Sequence, residues 1–447
     1  MLFCASQRVC DDERHAPYPT ILRRVTNALP QPTESPAGIR STLKIRNFRL
    51  FVFGAFVSNM GTWLQNVALS WLVLEITNSA FWVSMITFAQ FFPMLMFGLV
   101  GGVVADRFDR RKILLTTQSL LLISAAGLAV VAHTGPSLVA IMPIVIFGGC
   151  TLAINAPSFQ SFIGDLVPRT HVTSAISVNT SQFSMSRVLG PALAGPILAT
   201  SGAAGGFLLA LSGASAAFAL NAATFLAVIF ALTRIRLDPT DRPVRKLGRE
   251  SFMEGFRAVA GSPAIKTLLA VAVILSLLGA PIVALMPVFA KQVLGRGAAT
   301  YGQLFAAFGL GTALGSLNAP RVLRWGYTRL IIFGAIAQAG TLVAFAHIAQ
   351  FLPCLILAGF YGVAHALILA STSSGLQLAA SPETRGRVMS LFMMAFGGLY
   401  PVGALLAGIV SDLTSPQTAL TGTAVLILLS ALLAYHWRTK LESVTHH

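Results

Sequence analysis

The sequence predicts an all-α membrane protein with twelve transmembrane helices. About twelve long apolar stretches follow one another along the 447 residues, of which 55% are hydrophobic and only 10% charged. Soluble domains carry about 25% charged residues, and a single soluble core could not bury this much apolar surface. The mean hydropathy of +0.75 is typical of a chain that lies mostly in lipid.

Each apolar stretch is long enough to cross a bilayer, which takes about 20 helical residues. Connections on one side are very short, as at Asn78-Ser79. The predicted spans are 50–74, 80–104, 113–133, 137–160, 174–199, 207–233, 266–290, 300–321, 328–348, 351–379, 386–411 and 416–436.

Basic residues lie almost entirely in every second connection. Of the 31 Lys and Arg residues, 28 fall on one side of the predicted membrane, Lys291 and Arg296 fall on the other, and Arg187 lies inside a span. Because positive charge stays on the cytoplasmic side, we expect both termini to be cytoplasmic. The net charge of +16 forms no stripe or motif, so we expect anionic lipid rather than nucleic acid as its partner.

The domain organisation follows from the polar segments. Residues 1–41 are polar and proline-containing, and we expect a disordered cytoplasmic tail there; a wrongly assigned start codon is the alternative. A basic connection, 234–265, separates two six-span units at 42–233 and 266–437, and 438–447 form a second cytoplasmic tail. Ser251 begins a capping-box pattern, which predicts an amphipathic helix on the inner membrane surface.

The two units carry basic residues in corresponding connections, after spans two and eight and before spans five and eleven. Weak duplication of this kind is typical of secondary transporters. The segments are Gly102-x-x-x-Asp106-Arg107-x-x-Arg110-Arg111, Gly315 with Arg321 to Arg329, Asp165-Leu-Val-Pro168-Arg169, and Ser381-Pro382-Glu383-Thr-Arg385.

Over residues 42–437 the sequence resembles the major facilitator superfamily, and within it the bacterial branch that includes the enterobactin exporter and related efflux proteins. Asp109 stands where the loop motif of this superfamily usually has a second glycine. The resemblance implies two six-helix bundles that rock about a central site, in a bacterial inner membrane. It is carried by Gly102 to Arg111, Asp165 to Pro168, Arg187-Val-Leu-Gly190-Pro191, and Arg385-Gly-Arg387-Val-Met-Ser390.

The loop motif predicts a cytoplasmic gate. Asp106 ends the second span, which is the unfavourable end of a helix dipole for an anion. The eleventh span is expected to begin at Ser381-Pro382, and its N-terminus could receive this carboxylate, while Arg110 or Arg111 pairs with Asp165. A pure topology signal is the alternative. The gate residues are Gly102, Asp106, Arg107, Arg110, Arg111, Asp165 and Arg385.

Two ionisable residues are predicted near the middle of the membrane. Arg187 lies roughly 20 Å deep at 1.5 Å per residue, where a cation must be paired or face water. It either binds an anionic part of a substrate or holds carbonyls between helices. His365 shares a helix face with Tyr361 and can exchange a proton near neutral pH; a purely structural histidine is the alternative.

Asn59, Trp63, Asn66 and Ser70 form one polar stripe on the otherwise apolar first span. Such a stripe faces the protein interior, and an aromatic ring among amides suits an amphipathic organic substrate. The predicted substrate site therefore contains Asn59, Trp63, Asn66, Arg187, Tyr361 and His365.

These features favour a secondary transporter, and the resemblance and the fifth-span glycine–proline motif favour an exporter of a siderophore, drug or metabolite. Because no acidic residue lies clearly at mid-depth in any span, a cage for sodium is unlikely, and we expect a proton as the coupling ion. Import by the same fold is the alternative. An ATP-driven pump is disfavoured because no G-x-x-x-x-G-K-[ST] occurs, and an intramembrane enzyme because no catalytic motif occurs. A channel would need an oligomer, whereas we expect a monomer. The four cysteines lack metal-site spacing, and we expect no cofactor.

Overall fold

The computed structural model describes residues 38–199, 213–235, 257, 259–381 and 384–436. Within these ranges the chain is helical and contains no strand. A short helix, Ile39–Lys44, precedes twelve long ones, and a π-helical turn, Phe289–Val293, extends the seventh. The long helices are α1 (Arg46–Thr77), α2 (Ala80–Arg107), α3 (Arg110–Thr134), α4 (Leu138–Asp165), α5 (Val172–Ala199), α6 (Ala214–Arg234), α7 (Pro263–Val288), α8 (Ala298–Val322), α9 (Tyr327–His347), α10 (Phe351–Ala379), α11 (Arg385–Leu413) and α12 (Pro416–His436).

Nine helices of the described chain are long and apolar enough to cross a membrane. Helices α1, α5 and α8 fall outside that set. In α5 the reason is visible in its sequence, which carries Asn179, Gln182 and Arg187. Because α5 packs against both α1 and α8, the least apolar helices contact one another. Their polar side chains can therefore face protein instead of lipid.

Helix ends differ from the predicted spans in two places. The predicted start of the sixth span at 207 lies outside the described residues, and α6 begins at Ala214. The prediction that the eleventh helix begins at Pro382 is wrong: α11 begins at Arg385, because Ser381 closes a turn with the backbone of Thr384 and Arg385. The amphipathic helix predicted from Ser251 lies outside the described residues, apart from a helical end at 259–261.

The helices pack in a pattern that repeats between the first six and the last six. In the first set α1 contacts α5 and α6, α3 contacts α4 and α6, and α2 contacts α4. In the last set α7 contacts α11 and α12, α9 contacts α10 and α12, and α8 contacts α10. Each pair recurs six helices later. The main contacts that join the two sets are α2 with α11 and α5 with α8.

The two joining contacts are close because small residues occupy them. A Cβ added at Gly302 of α8 would lie 2.6 Å from the carbonyl oxygen of Pro191, and one added at Gly195 of α5 would lie 2.8 Å from Cα of Ala299. Small residues let membrane helices approach to backbone contact. The glycine–proline segment of α5 therefore serves close packing against α8.

The buried core is shared unevenly. One apolar cluster joins the two sets of helices; its members from the first set, such as Leu64, Val83 and Ala194, lie toward the ends that the charge distribution predicts as periplasmic, which we call the outer ends. A second cluster, including Phe51 and Phe162, holds together the opposite, inner ends of the first set alone. The two sets therefore share an apolar core at their outer ends, whereas the inner ends of the first set have a core of their own.

Candidate substrate site and gates

Arg187 lies in a cage of aromatic rings between the two sets of helices. Its guanidinium carbon is 5.3 Å from the ring centroid of Trp63 in α1 and 4.9 Å from that of Phe308 in α8. Its Nε atom is buried and has no hydrogen-bond partner within the described residues. Ring faces attract a cation, but the Nε–H donor is left without an acceptor among the described residues. The cage therefore holds an arginine able to bind an acceptor.

His365 and Tyr361 belong to a neighbouring buried cluster in the last six helices. Their rings stack at 6.3 Å, and Nε2 of Gln338 lies 3.3 Å from Nδ1 of His365. The Tyr361 hydroxyl and Oε1 of Gln338 lack partners with hydrogen-bonding geometry among the described residues. A polar cluster with spare donors and acceptors thus occupies the middle of α9 and α10.

The aromatic cage and this cluster share one side chain. The ring of Phe308 lies over the Arg187 guanidinium and also 6.1 Å from the imidazole of His365. His365 and Tyr400 of α11 both lie within electrostatic range of Arg187. The structure therefore brings together four predicted site residues, Trp63, Arg187, Tyr361 and His365, from opposite sets of helices.

The two predicted asparagines lie elsewhere. Nδ2 of Asn59 donates to Oε1 of Gln182 at 3.3 Å, and Asn59 lines a cavity inside the first six helices. Oδ1 of Asn66 accepts from Nε2 of Gln90 at 3.0 Å. The polar stripe of α1 thus divides between the central aromatic cage and the interior of its own set of helices.

At the inner end, Arg110 ties three segments of the first set together. Its Nη1 lies 3.0 Å from Oδ1 of Asp165, and its Nε donates to the carbonyl oxygen of Ala105 near the end of α2. Arg111 instead donates to the carbonyl oxygens of Leu232 and Thr233 at the end of α6. Both arginines therefore hold helix C-termini, where cations are favourable.

Asp109, the residue that departs from the family motif, caps α3. Its carboxylate accepts from the backbone nitrogens of Arg111 and Lys112 at 2.8 and 3.3 Å. Asx side chains are preferred at this position because they satisfy orphan N–H groups. The replacement of glycine thus has a local structural reason.

The remaining gate residues lie at the inner ends of α2 and α11. Gly102 and Asp106 lie in the last two turns of α2, which ends at the exposed Arg107. The side chain of Asp106 lies outside what the structure describes. Arg385 is exposed at the first position of α11. Helices α2 and α11 belong to opposite sets and pack against each other.

Sequence reasoning missed a contact at the outer end of the same helix pair. Oδ1 of Asp412, near the end of α11, lies 2.7 Å from the backbone nitrogen of Ala80, and Oδ2 lies 3.2 Å from that of Phe81. The Ser79 hydroxyl also bonds this carboxylate. Asp412 therefore caps α2 from the opposite set. The sequence did offer a signal for this contact: Asp412, like Asp106, lies at the C-terminal end of its own helix, where an anion is unfavourable.

Two more contacts close the outer side. Nζ of Lys291 lies 3.4 Å from the carbonyl oxygen of Leu74, and the rings of Trp71 and Tyr301 stack at 6.4 Å. Each joins α1 to the last six helices or to the turn after α7. Within the described residues no group of His, Cys, Asp and Glu side chains could hold a metal ion.

Comparison with known proteins identifies the family. Residues 37–446 match the model of the transmembrane secretion effectors, a family of the major facilitator superfamily. The chain belongs to this family. Its proteins are transporters and not enzymes, so the enzyme alternative is excluded and the chain is an integral membrane transporter.

Curated relatives cover most of the chain. The staphyloferrin A transporter of Staphylococcus aureus (strain NCTC 8325 / PS 47) is 27% identical over 81% of this chain and 89% of its own. The multidrug efflux pump Tap of Mycolicibacterium fortuitum is 25% identical over 86% and 94%. The enterobactin exporter EntS of Escherichia coli O1:K1 / APEC is 26% identical over 85% and 89%.

Solved structures confirm the superfamily fold. The inward-facing, unoccupied structure of a bacterial homologue of the human lysosomal transporter Spinster has a TM-score of 0.72 and 15% identity, and covers 89% of this chain and 98% of its own. A D-xylose–proton symporter has a TM-score of 0.67, again at 15% identity and the same coverage. At this identity the likeness supports the fold alone.

Proposed function

We propose that this protein is a secondary active exporter that moves a small amphipathic organic anion out of the cell in exchange for protons. The observation that carries the proposal is the Arg187 guanidinium, held in an aromatic cage between the two sets of helices with no ion pair to any described residue. Two relatives are an enterobactin exporter and a multidrug efflux pump, and this supports export over import.

The proposed architecture is twelve transmembrane helices in two pseudo-symmetric six-helix bundles, one from 42–233 and one from 266–437. The packing pairs that recur six helices later support it. Three helices are less apolar than a single span in lipid requires, and they contact one another at the proposed bundle interface. The distribution of Lys and Arg supports cytoplasmic termini in a bacterial inner membrane.

The conformation fits the inward-facing step of alternating access. Contacts between the bundles, from Asp412 with Ala80 to Arg187 with Phe308, lie between the outer ends and mid-depth. The inner ends of the first bundle have an apolar cluster of their own. A substrate from the cytoplasm would then reach Arg187 from the inner side while the outer side is closed.

The substrate class follows from the charge and the rings of this cage. An anionic group gains hydrogen bonds from Arg187, and an aromatic ring can stack among Trp63, Phe305 and Phe308. A strongly cationic substrate is repelled by the guanidinium in a medium of reduced dielectric. A catecholate or a similar aromatic acid satisfies both conditions.

We propose His365 as the proton site. The described middle of the membrane contains no Asp or Glu, so a carboxylate cage for sodium is disfavoured. The imidazole lies near Arg187, and a proton on one and a cation on the other repel each other. Exchange requires that substrate and proton bind in alternation, so we propose that the bound substrate contacts the imidazole nitrogen that otherwise takes the proton.

Flux through proteoliposomes tests the function. The purified protein is reconstituted, 2,3-dihydroxybenzoate and the cation ethidium are offered separately, and a proton gradient is imposed without nucleotide. We expect uphill movement of the acid against the proton flow and much slower movement of ethidium. Equal rates for both probes, or uphill movement without a gradient, would contradict the proposal. Movement of the acid with the protons would favour the importer alternative.

A further inference from the structure

The cavity that Asn59 lines lies among the first six helices. Its volume is about 400 Å³, and its lining residues run from Ala55 to Val228, with contributions from each of α1 to α6. None of the side chains of the Arg187 cage, Trp63, Arg187 and Phe308, lines it. The volume falls within the range of roughly 300–1,000 Å³ that small-molecule pockets occupy.

The polar lining of this cavity is mostly amide, with four hydroxyl side chains among the amides. Nine Asn and Gln side chains reach it, at least one from each of the six helices, and no charged side chain does. Between them run apolar patches such as Leu121 and Leu152. Amides both donate and accept hydrogen bonds but supply no counter-charge, so the lining matches a neutral polar ligand.

Several of these amides make hydrogen bonds to neighbouring side chains with only some of their donors and acceptors. Nδ2 of Asn155 donates to the Thr117 hydroxyl at 2.8 Å, and Nδ2 of Asn221 donates to Oε1 of Gln65 at 2.7 Å. Gln118 is 5% exposed, and its Oε1 is buried with no partner among the described residues. A buried acceptor without a hydrogen bond is destabilising, because it has lost its contact with water. This acceptor therefore favours a ligand that donates to it.

Residues of α1 and α5 lie between the cavity and the Arg187 cage. The hydrogen bond between Asn59 and Gln182 joins α1 to α5 there. The next residue along α5, Phe183, lines the cavity and also meets the ring of Trp63 edge-on at 5.9 Å. The two sites are thus neighbours with opposite chemistry, one cationic and aromatic, the other neutral and amide-lined.

We propose that this cavity is a binding site for a small uncharged molecule that carries amide or hydroxyl groups. A charge placed there would lose its hydration without gaining a counter-ion, and that loss far exceeds what neutral amides return. A neutral amide instead donates to Oε1 of Gln118 and packs its apolar part against Leu121. This site is independent of the transport function proposed above.

Labelling of a single cysteine tests access to the cavity. Leu121→Cys is made in full-length protein whose four natural cysteines are replaced, and the purified protein is treated with neutral methyl methanethiosulfonate or with an anionic methanethiosulfonate, each rate being divided by that reagent's rate with free cysteine. We expect the neutral reagent to label Cys at this position and the anionic one to label it at least about tenfold more slowly, since a buried charge is penalised. Equal rates would overturn an uncharged site.

Protection by two matched probes tests binding. Benzamide and benzoate have the same shape, but only benzoate is charged. We expect benzamide to slow labelling by methyl methanethiosulfonate at least about threefold at saturating concentration, and benzoate to have no effect. Protection by benzoate, or protection by neither probe, would overturn the proposal. The flux experiments with Arg187 are unaffected by either outcome.

Gln118→Leu separates ligand binding from structure. The variant removes an acceptor that has no protein partner, so we expect an unchanged or raised melting temperature and complete loss of benzamide protection. Gln377→Leu, an exposed amide on α10 outside the cavity, is the matched control and should leave protection intact. Full protection in Gln118→Leu would contradict the assigned contact.

Discussion

Oδ1 of Asp412 lies 2.7 Å from the backbone nitrogen of Ala80, so an acid at the end of α11 caps the start of α2. These two helices run antiparallel. At their other end Asp106 lies in the last turn of α2, and α11 begins at Arg385. The same helix pair therefore carries an acidic residue in the last turn of each helix. We propose that the cap by Asp412 breaks when the outer side opens.

Asp412→Asn should loosen the outer closure. The substitution removes the negative charge from the N-terminal end of α2, which is worth up to about 1 kcal/mol and corresponds to up to about fivefold more of the outward-open state. The measurement is labelling of a cysteine at Ala299, opposite Gly195, with a membrane-impermeant maleimide. Thr414→Ala is the control, because its hydroxyl bonds only Val410 of its own helix. Equal labelling of the control and Asp412→Asn would show that the contact does not hold the gate.

Gly302→Ala should prevent full outer closure. The added methyl would lie 2.6 Å from the carbonyl oxygen of Pro191, so α5 and α8 must separate. We expect flux to fall at least about tenfold, since a shift of about 1.4 kcal/mol in the gate equilibrium gives this factor. Gly340→Ala adds the same methyl where nothing lies within 4 Å and should transport normally. Normal flux in Gly302→Ala would mean that this crossing tolerates a larger gap.

Asp106→Asn should impair transport while the protein remains inserted and folded. The substitution removes an anion that, at the C-terminal end of its own helix, is favourable only if a partner compensates it. Asp109→Asn is the matched control: asparagine caps a helix about as well as aspartate, the contact lies within one bundle, and flux should stay near that of the wild type. Wild-type flux in Asp106→Asn would leave the loop motif as a topology signal.

A cysteine at Arg245 reports the topology. This position belongs to the basic connection between the two predicted units, and 28 of 31 Lys and Arg lie on its side of the membrane. We expect an impermeant maleimide to label it only in inverted vesicles or opened cells. A cysteine at Gly135, in the connection between α3 and α4, should show the opposite pattern. Labelling at Arg245 in intact cells would contradict the orientation.

The sequence predicted the helices well because hydrophobic length and the basic residues of the connections are local signals. Each predicted span overlaps a helix, even where Arg187 or the polar stripe of α1 lowers the hydropathy. The start of α11 was misplaced because a turn after Ser381 competes with helix initiation there. Local signals do not specify which helices meet, and this limited the prediction of the site.

The site was therefore predicted only in part. Arg187 and His365 were predicted because an ionisable residue in the middle of an apolar span is visible in the sequence itself. Phe308 and Gln338 were missed, since an aromatic or amide side chain inside a span has no sequence signal until the fold brings it near a charge. Asn59 and Trp63 lie on the same helix, but Asn59 lines the cavity of the first six helices and Trp63 belongs to the Arg187 cage. This difference depends on helix packing, which periodicity alone does not determine.

The most direct test of the central claim is proton-driven uptake of 2,3-dihydroxybenzoate into inverted vesicles, measured for the wild type, Arg187→Ala and His365→Ala, with and without a protonophore. We predict that Arg187→Ala loses transport far more than His365→Ala, because it removes the only cation of the cage within the described residues, whereas His365→Ala removes the response to the proton gradient and leaves downhill movement of the acid. We also predict that the protonophore abolishes uptake by the wild type. Normal uptake by Arg187→Ala, or uptake that survives collapse of the gradient, would contradict the account.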